Sequence, residues 1–164
     1  MRSLTRRAIA GTAVVVAAAM ATAIPAVGSD GSSRHDGRHG GDLLRSDLVG
    51  SLTTDAVIAG VSPGGADWSV SRSSVVVRES GRFDAKVRRL VLTSTGANPV
   101  PTLSASLVCN GAVVDTVGPV AYDTAGNARI RGTFDVPDRC LAPAVLINPA
   151  DRVGVYIAAS GSVS

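Results

Sequence analysis

The sequence predicts an all-β fold, a single antiparallel β-sandwich, and three observations predict it. Short apolar runs recur along the chain, several alternating with polar residues at the two-residue period of a half-buried strand. Gly, Pro, Asn and Asp punctuate these runs at close intervals. No stretch after Asp42 carries the sustained 3.6-residue apolar period of a long helix. Together these argue two packed antiparallel sheets, immunoglobulin-like or jelly-roll-like.

Element by element, Leu43 to Leu52 is ambiguous between a helical turn and a strand. Val57 to Val61 is a short strand, and Ser62-Pro63-Gly64-Gly65 is a turn. Trp68 to Arg78 is one β run around Val75-Val76-Val77, ended by Glu79-Ser80-Gly81. Phe83, Ala85 and Val87 alternate with Asp84, Lys86 and Arg88. Arg89 then falls where an apolar residue is due, so a bulge is expected at Arg88-Arg89. Leu103, Ala105, Leu107 and Cys109 share one strand face, with Thr102, Ser104 and Ser106 on the other. Asn110-Gly111 before Ala112-Val113-Val114 predicts a type I′ hairpin, whose two central residues both need positive φ. Ala128 to Phe134, Ala144 to Ile147 and Val153 to Ala159 complete the strands, with a turn at Asn148 to Asp151.

The 164 residues are enough for one domain, and not all of them belong to the fold. Residues 1–28 have the layout of a secretory signal peptide. Arg2, Arg6 and Arg7 form a positive start, Thr12 to Ile24 is uncharged, and Pro25-Ala26-Val27-Gly28 supplies small residues for cleavage. Cleavage after Gly28 is the first choice and after Ala23 the second; a twin-arginine route and an uncleaved anchor over Ala8 to Val27 are the alternatives. Residues 29–41 form a Gly/Ser/His linker with no apolar periodicity, expected to be disordered, and residues 42–164 form the β-sandwich domain. Secretion without a membrane attachment is the expected destination, with association to the cell wall as a variant of it.

Charge then excludes one class of partner. The chain holds 16 Lys+Arg against 13 Asp+Glu. Loss of Arg2, Arg6 and Arg7 with the leader leaves bases and acids equal in number, so the high pI gives no argument for nucleic acid. Trp68, Phe83, Tyr122, Phe134 and Tyr156 are too few to suggest a base-stacking platform, and all lie in or beside strands. Cys109 and Cys140, an even pair in an exported chain, are expected to form a disulfide. Its loop of about 30 residues corresponds to about 3.5 kcal/mol in a chain-entropy treatment. With no third Cys, no zinc or iron–sulfur site is expected.

Motifs that suggest chemistry fail on mechanics. Gly60-Val61-Ser62-Pro63-Gly64 fits G-x-S-x-G, yet Pro63 has no N–H for an oxyanion hole. The histidines, His35 and His39, precede the serine and stand in the Gly-rich tract. Their i, i+4 spacing would converge on a metal in a helix, which Gly37, Gly40 and Gly41 oppose. Asp123 to Asn127 lacks the alternating acids of a calcium loop and reads as a turn. Asp115, Asp135 and Asp138 cannot be paired for acid–base work. No catalytic residue, metal or cofactor is therefore assigned, and the chain is not read as an enzyme.

What remains is a charged face. Arg82, Lys86 and Arg88 fall on one strand face with Arg78 and Arg89 nearby, and Arg129 and Arg131 form a second row. Either could meet an anionic cell-envelope polymer or a secreted protein; a solvated outer face, with Asp84 interleaved, is the plain alternative.

Several segments carry a resemblance: Pro63-Gly-Gly-Ala66 before Trp68, Arg88 to Leu92, Leu107 to Gly111, Asp138 to Pro143 and Val155 to Gly161. With these the chain resembles a loose group of uncharacterised secreted proteins of high-GC actinobacteria, and Lys86 as the single lysine suits such a genome. The resemblance implies a compact secreted domain and no activity. The function expected is a non-catalytic extracellular or envelope-associated binding or structural module. A small hydrolase whose scattered acids converge, and an inhibitor using the Val136 to Pro143 loop, are the alternatives.

Overall fold

Alternating apolar residues build the strands, and in the computed structural model, which describes residues 40–162, they build one principal sheet. The expected signal peptide and all but the last two residues of the expected linker lie outside the described residues. The strands are β1 (Asp42–Gly50), β2 (Ser62–Pro63), β3 (Trp68–Ser69), β4 (Ser74–Arg78), β5 (Arg82–Val87) and β6 (Val91–Leu92). They continue as β7 (Thr102–Cys109), β8 (Ala112–Ala121), β9 (Ala128–Thr133), β10 (Ala144–Pro149), β11 (Val155–Tyr156) and β12 (Ala158–Ser160). Eight of them form an antiparallel sheet in the order β8-β7-β10-β12-β1-β4-β5-β9.

The expected pair of separate sheets is corrected to this single sheet, curled until it nearly closes as a barrel. Strand β1 makes the continuity. Its first half pairs with β4, Arg45 opposite Val76, and its last residues pair with β12, Leu48 opposite Ser160. Among the described residues no ladder joins the edge strands β8 and β9. They meet through side chains instead: a methyl at Gly132 of β9 would strike Val117 of β8, and the Asp135 N–H donates to the Asp115 carboxylate at 2.7 Å.

The interior is filled by the alternating faces. Val75, Val77, Phe83, Ala85, Val87, Leu103, Leu107, Ile130, Val145 and Ile147 are buried, and the Phe83 and Phe134 rings pack at 4.6 Å. Each large apolar side chain so buried contributes about 1.5–3 kcal/mol. A second cluster lies on the opposite face of β7 and β10, where Val108 and Leu146 pack with Val61 and Tyr156. Strand β7 is thereby buried on both faces. Ser104 and Ser106, on the polar face of that strand, are covered and satisfied internally. The Ser106 hydroxyl bonds Asn148 Oδ1 at 2.8 Å, and Ser104 donates to the Ala150 carbonyl at 2.5 Å.

Several local expectations change. The ambiguous first segment is the strand β1, because cross-strand partners on both sides outweigh local propensity. The Trp68 to Arg78 run is broken into β3 and β4. Ser62-Pro63 is a two-residue parallel pairing with Val155-Tyr156, and Val57 to Val61 contributes only a bridge between Ile58 and Val61. At Arg88-Arg89 there is no bulge inside a continuing strand. Arg89 takes φ 47°, and this left-handed residue ends β5 and sets Leu90 into the core. At Asn110-Gly111 both φ values are positive, 56° and 77°, as a type I′ turn requires.

Candidate functional site

The outer face of β1, β4, β5 and β9 is set by register. One cross-strand row reads Arg45, Val76, Asp84, Arg131, and the next reads Asp47, Ser74, Lys86, Arg129. Inward residues of the same strands fill the core, so these side chains are left outside by the pleat alone. Arg78 and Arg82 stand at the two ends of the Glu79-Ser80-Gly81 turn that joins β4 to β5. Together Arg45, Ser74, Val76, Arg78, Arg82, Asp84, Lys86 and Arg129 line a shallow depression of about 350 Å³.

Within it the charges divide. Arg129 grips Asp84 with Nε at 3.0 Å and Nη2 at 2.5 Å, and Arg131 adds Nε at 3.3 Å. The Arg129 hydrogen bonds are the main cause holding the Asp84 carboxyl below its ordinary pKa; burial opposes them. Asp42 likewise takes Arg45 at 2.8 Å and Arg78 at 2.5 Å. Among the described residues, Arg82 and Lys86 have no carboxylate partner. Lys86 also sits directly opposite Arg129, a like-charge cross-strand pair that costs stability.

The sequence-predicted cations are therefore brought together in part. Arg82 and Lys86 share the depression, while Arg88 is exposed beside Lys86, Asn127 and Arg129 in an adjoining hollow. Arg89 lines neither hollow; its N–H donates to Asn127 Oδ1 at 3.2 Å. Arg45, Ser74 and Val76 were not legible as surface partners of this face. Arg45 stands in the ambiguous first segment, and Val76 hides inside an unbroken valine triplet whose pattern names no outer face.

The other candidates have defined surroundings. Cys109 and Cys140 form the expected disulfide, with Cα atoms 4.8 Å apart. Asn110 clamps the same loop: its Nδ2 donates to the Arg139 carbonyl at 2.9 Å, and its Oδ1 accepts the Leu141 N–H at 2.9 Å. The Leu141 carbonyl accepts from the Asn110 N–H. Leu141 is thus half-exposed on a pinned loop, with its own N–H and C=O already engaged. Glu79, Asp115 and Asp135 line one open hollow near the β8–β9 junction. Asp115 is committed there to the Thr116 and Asp135 N–H groups, and Glu79 to the Gly41 N–H. Ser62 is exposed in β2, and the Asp123 carboxylate accepts from Asn127, which closes that turn. Among the described residues, no three His, Cys, Asp or Glu side chains are grouped to hold a metal ion. His35 and His39 lie outside the described residues.

The site belongs to an all-β chain with one disulfide and an exposed basic sheet face. Comparison of this chain with protein-family models, curated proteins and solved structures finds no match.

Proposed function

We propose that the protein is a secreted, non-catalytic binding module that holds an anionic polymer of the cell envelope against the β4–β5–β9 outer face. The observation that carries this reading is the pair Arg82 and Lys86, left without carboxylate partners beside a depression lined by further arginines. Uncompensated cations on one face cost self-repulsion and are stabilised when a polyanion displaces their counterions. The leader-like residues 1–28 and the disulfide support an extracellular setting. The hydrolase alternative has support only in the Glu79, Asp115 and Asp135 hollow, where two of the three carboxylates are engaged by backbone. The inhibitor alternative loses the usual backbone contacts at Leu141, whose N–H and C=O both face Asn110.

The test is co-sedimentation of the oxidised protein with isolated cell walls of a high-GC Gram-positive bacterium over a salt series. Binding should weaken as salt rises and fall further in Arg82→Glu/Lys86→Glu, while Arg152→Glu, away from the face, stays as wild type. Absence of binding at low salt refutes the reading.

A further inference from the structure

The two hollows on this face are continuous, and the free cations in them lie along a single strand. The depression at the β4–β5 turn and the hollow beside Asn127 share Lys86 and Arg129 as lining residues. Strand β5 runs through both. Arg82 lines the first, Lys86 stands at the join and Arg88 lines the second, all three exposed. Among the described residues none of the three has a carboxylate partner. Asp84 stands between Arg82 and Lys86, but both Arg129 and Arg131 hold it, so the middle of the track stays net positive. Arg88, just past the end of β5, is fixed by its backbone: its N–H donates to Ser73 Oγ at 2.8 Å, and its carbonyl accepts the Ser71 N–H at 2.9 Å. From Arg82 to Arg88 the chain advances about 20 Å at strand rise.

The path across the strands offers less. The row through Lys86 ends on Asp47, and its other cation, Arg129, is taken by Asp84. In the row through Asp84, Arg131 is taken by that carboxylate and Arg45 by Asp42. Among the described residues, a polyanion crossing the sheet thus meets one unpaired cation in the Lys86 row and none in the other. A polyanion lying along β5 meets three. Each exposed cation alone holds a small anion weakly, because water and salt screen the contact. A chain that reaches from Arg82 to Arg88 adds these contacts within one molecule, at the effective concentration set by its own length. We infer that β5 is a linear track for an extended polyanion of about 20 Å or more lying along the strand, and that it separates such a chain by length from short anions of the same chemistry. The inference rests on the envelope-polymer reading and adds to it the ligand's direction and least length.

The experiment compares tripolyphosphate, too short to reach from Arg82 to Arg88, with long-chain linear polyphosphate, on the oxidised protein at matched ionic strength. Wild type should bind the long chain at least about tenfold tighter per phosphate group. Arg88→Gln and Arg82→Gln should each remove most of that advantage while leaving tripolyphosphate within about twofold of wild type. Each should also lower the slope of log affinity against log salt by about one. Thermal unfolding checks that these surface variants fold. Equal affinity per phosphate for the two chains, with sensitivity to Arg82→Glu/Lys86→Glu retained, overturns the track and leaves the binding module standing. Wild-type binding of the long chain by Arg88→Gln also overturns it, because the ligand then stays in the depression or crosses the strands. A protein that sediments with cell walls but binds neither polyphosphate overturns the track alone; absence of both kinds of binding overturns both readings. Phosphatidylglycerol vesicles bound tighter per phosphate than the long chain overturn the track too, because a surface of headgroups needs no chain along the strand.

Discussion

Asp84 of β5 holds Arg129 of β9 by two hydrogen bonds, Nε at 3.0 Å and Nη2 at 2.5 Å, across the outer sheet face. This pair fastens the edge strand β9 to its ladder neighbour β5 and also removes charge from the centre of the basic depression. One carboxylate thus serves sheet stability and surface potential with opposite consequences for a polyanion.

Acid should separate the two roles. The Asp84 carboxyl is held below its ordinary pKa, chiefly by the Arg129 hydrogen bonds, so its stabilising contribution is full above the unfolded value and lost as pH falls through the folded one. As pH falls below the ordinary carboxylate range, denaturant midpoints should decline. Binding of a phosphodiester polyanion should strengthen as pH falls through the folded Asp84 value, because the diesters stay ionised after that carboxylate is protonated. Paired urea titrations and binding isotherms over that fall in pH check both slopes.

The β8–β9 junction should be sensitive to one methyl group. Gly132→Ala drives a Cβ into Val117 and is expected to cost about 1–3 kcal/mol. Val117→Ala in the same chain should recover part of that loss, a coupling that a double-mutant cycle measures directly.

Asp115 closes the same junction by accepting the Thr116 and Asp135 N–H groups, both at 2.7 Å. Asp115→Ala should cost about 1–3 kcal/mol. Hydrogen exchange at those two amides should accelerate more than at Ile130 in the core. Uniform acceleration across the sheet would assign Asp115 a global role instead.

The disulfide and Asn110 act on one loop by different means. Cys109→Ser/Cys140→Ser should lower stability by about 3.5 kcal/mol through the loop of 31 residues it releases. Asn110→Ala should lose less overall, yet it removes both the left-handed residue of the hairpin and the clamp on Arg139 and Leu141. Limited proteolysis should cut the 136–143 loop in the asparagine variant while the disulfide still tethers Cys140 within it to Cys109.

Tyr122 is buried, and its hydroxyl donates to the Leu90 carbonyl. Burial raises the phenol pKa, so the folded state favours the protonated ring. Stability should decline once pH passes the ordinary phenol value near 10. Tyr122→Phe should cost about 1–3 kcal/mol at neutral pH and flatten that alkaline decline, which spectrophotometric titration alongside denaturation reads out.

How much of this was legible in the chain follows from what each signal encodes. The Asn110-Gly111 turn, the β7–β8 hairpin, the Phe83–Val87 alternation and the cysteine pair depend on local backbone geometry or on a single pairing, and each is present. The slip at Arg89 was visible as a parity change, but a bulge and a left-handed strand end produce the same parity, so the pattern could not choose between them. The basic row on β5 was legible because alternation assigns Arg82 and Lys86 to one face.

By itself the sequence determined the all-β class, most strand positions, the turn chemistry and which face of β5 turns outward. Only the tertiary structure decided that β1 is shared between β4 and β12, that the sheet curls to bring β8 against β9, and that Arg45, Val76 and Arg129 join Arg82 and Lys86 around one depression. The physical reason is that a two-residue period assigns a side chain to a face and a hairpin names a strand's nearest neighbour. Pairings such as Leu48 with Ser160 are set by the burial of the whole core, which no local stretch of chain encodes.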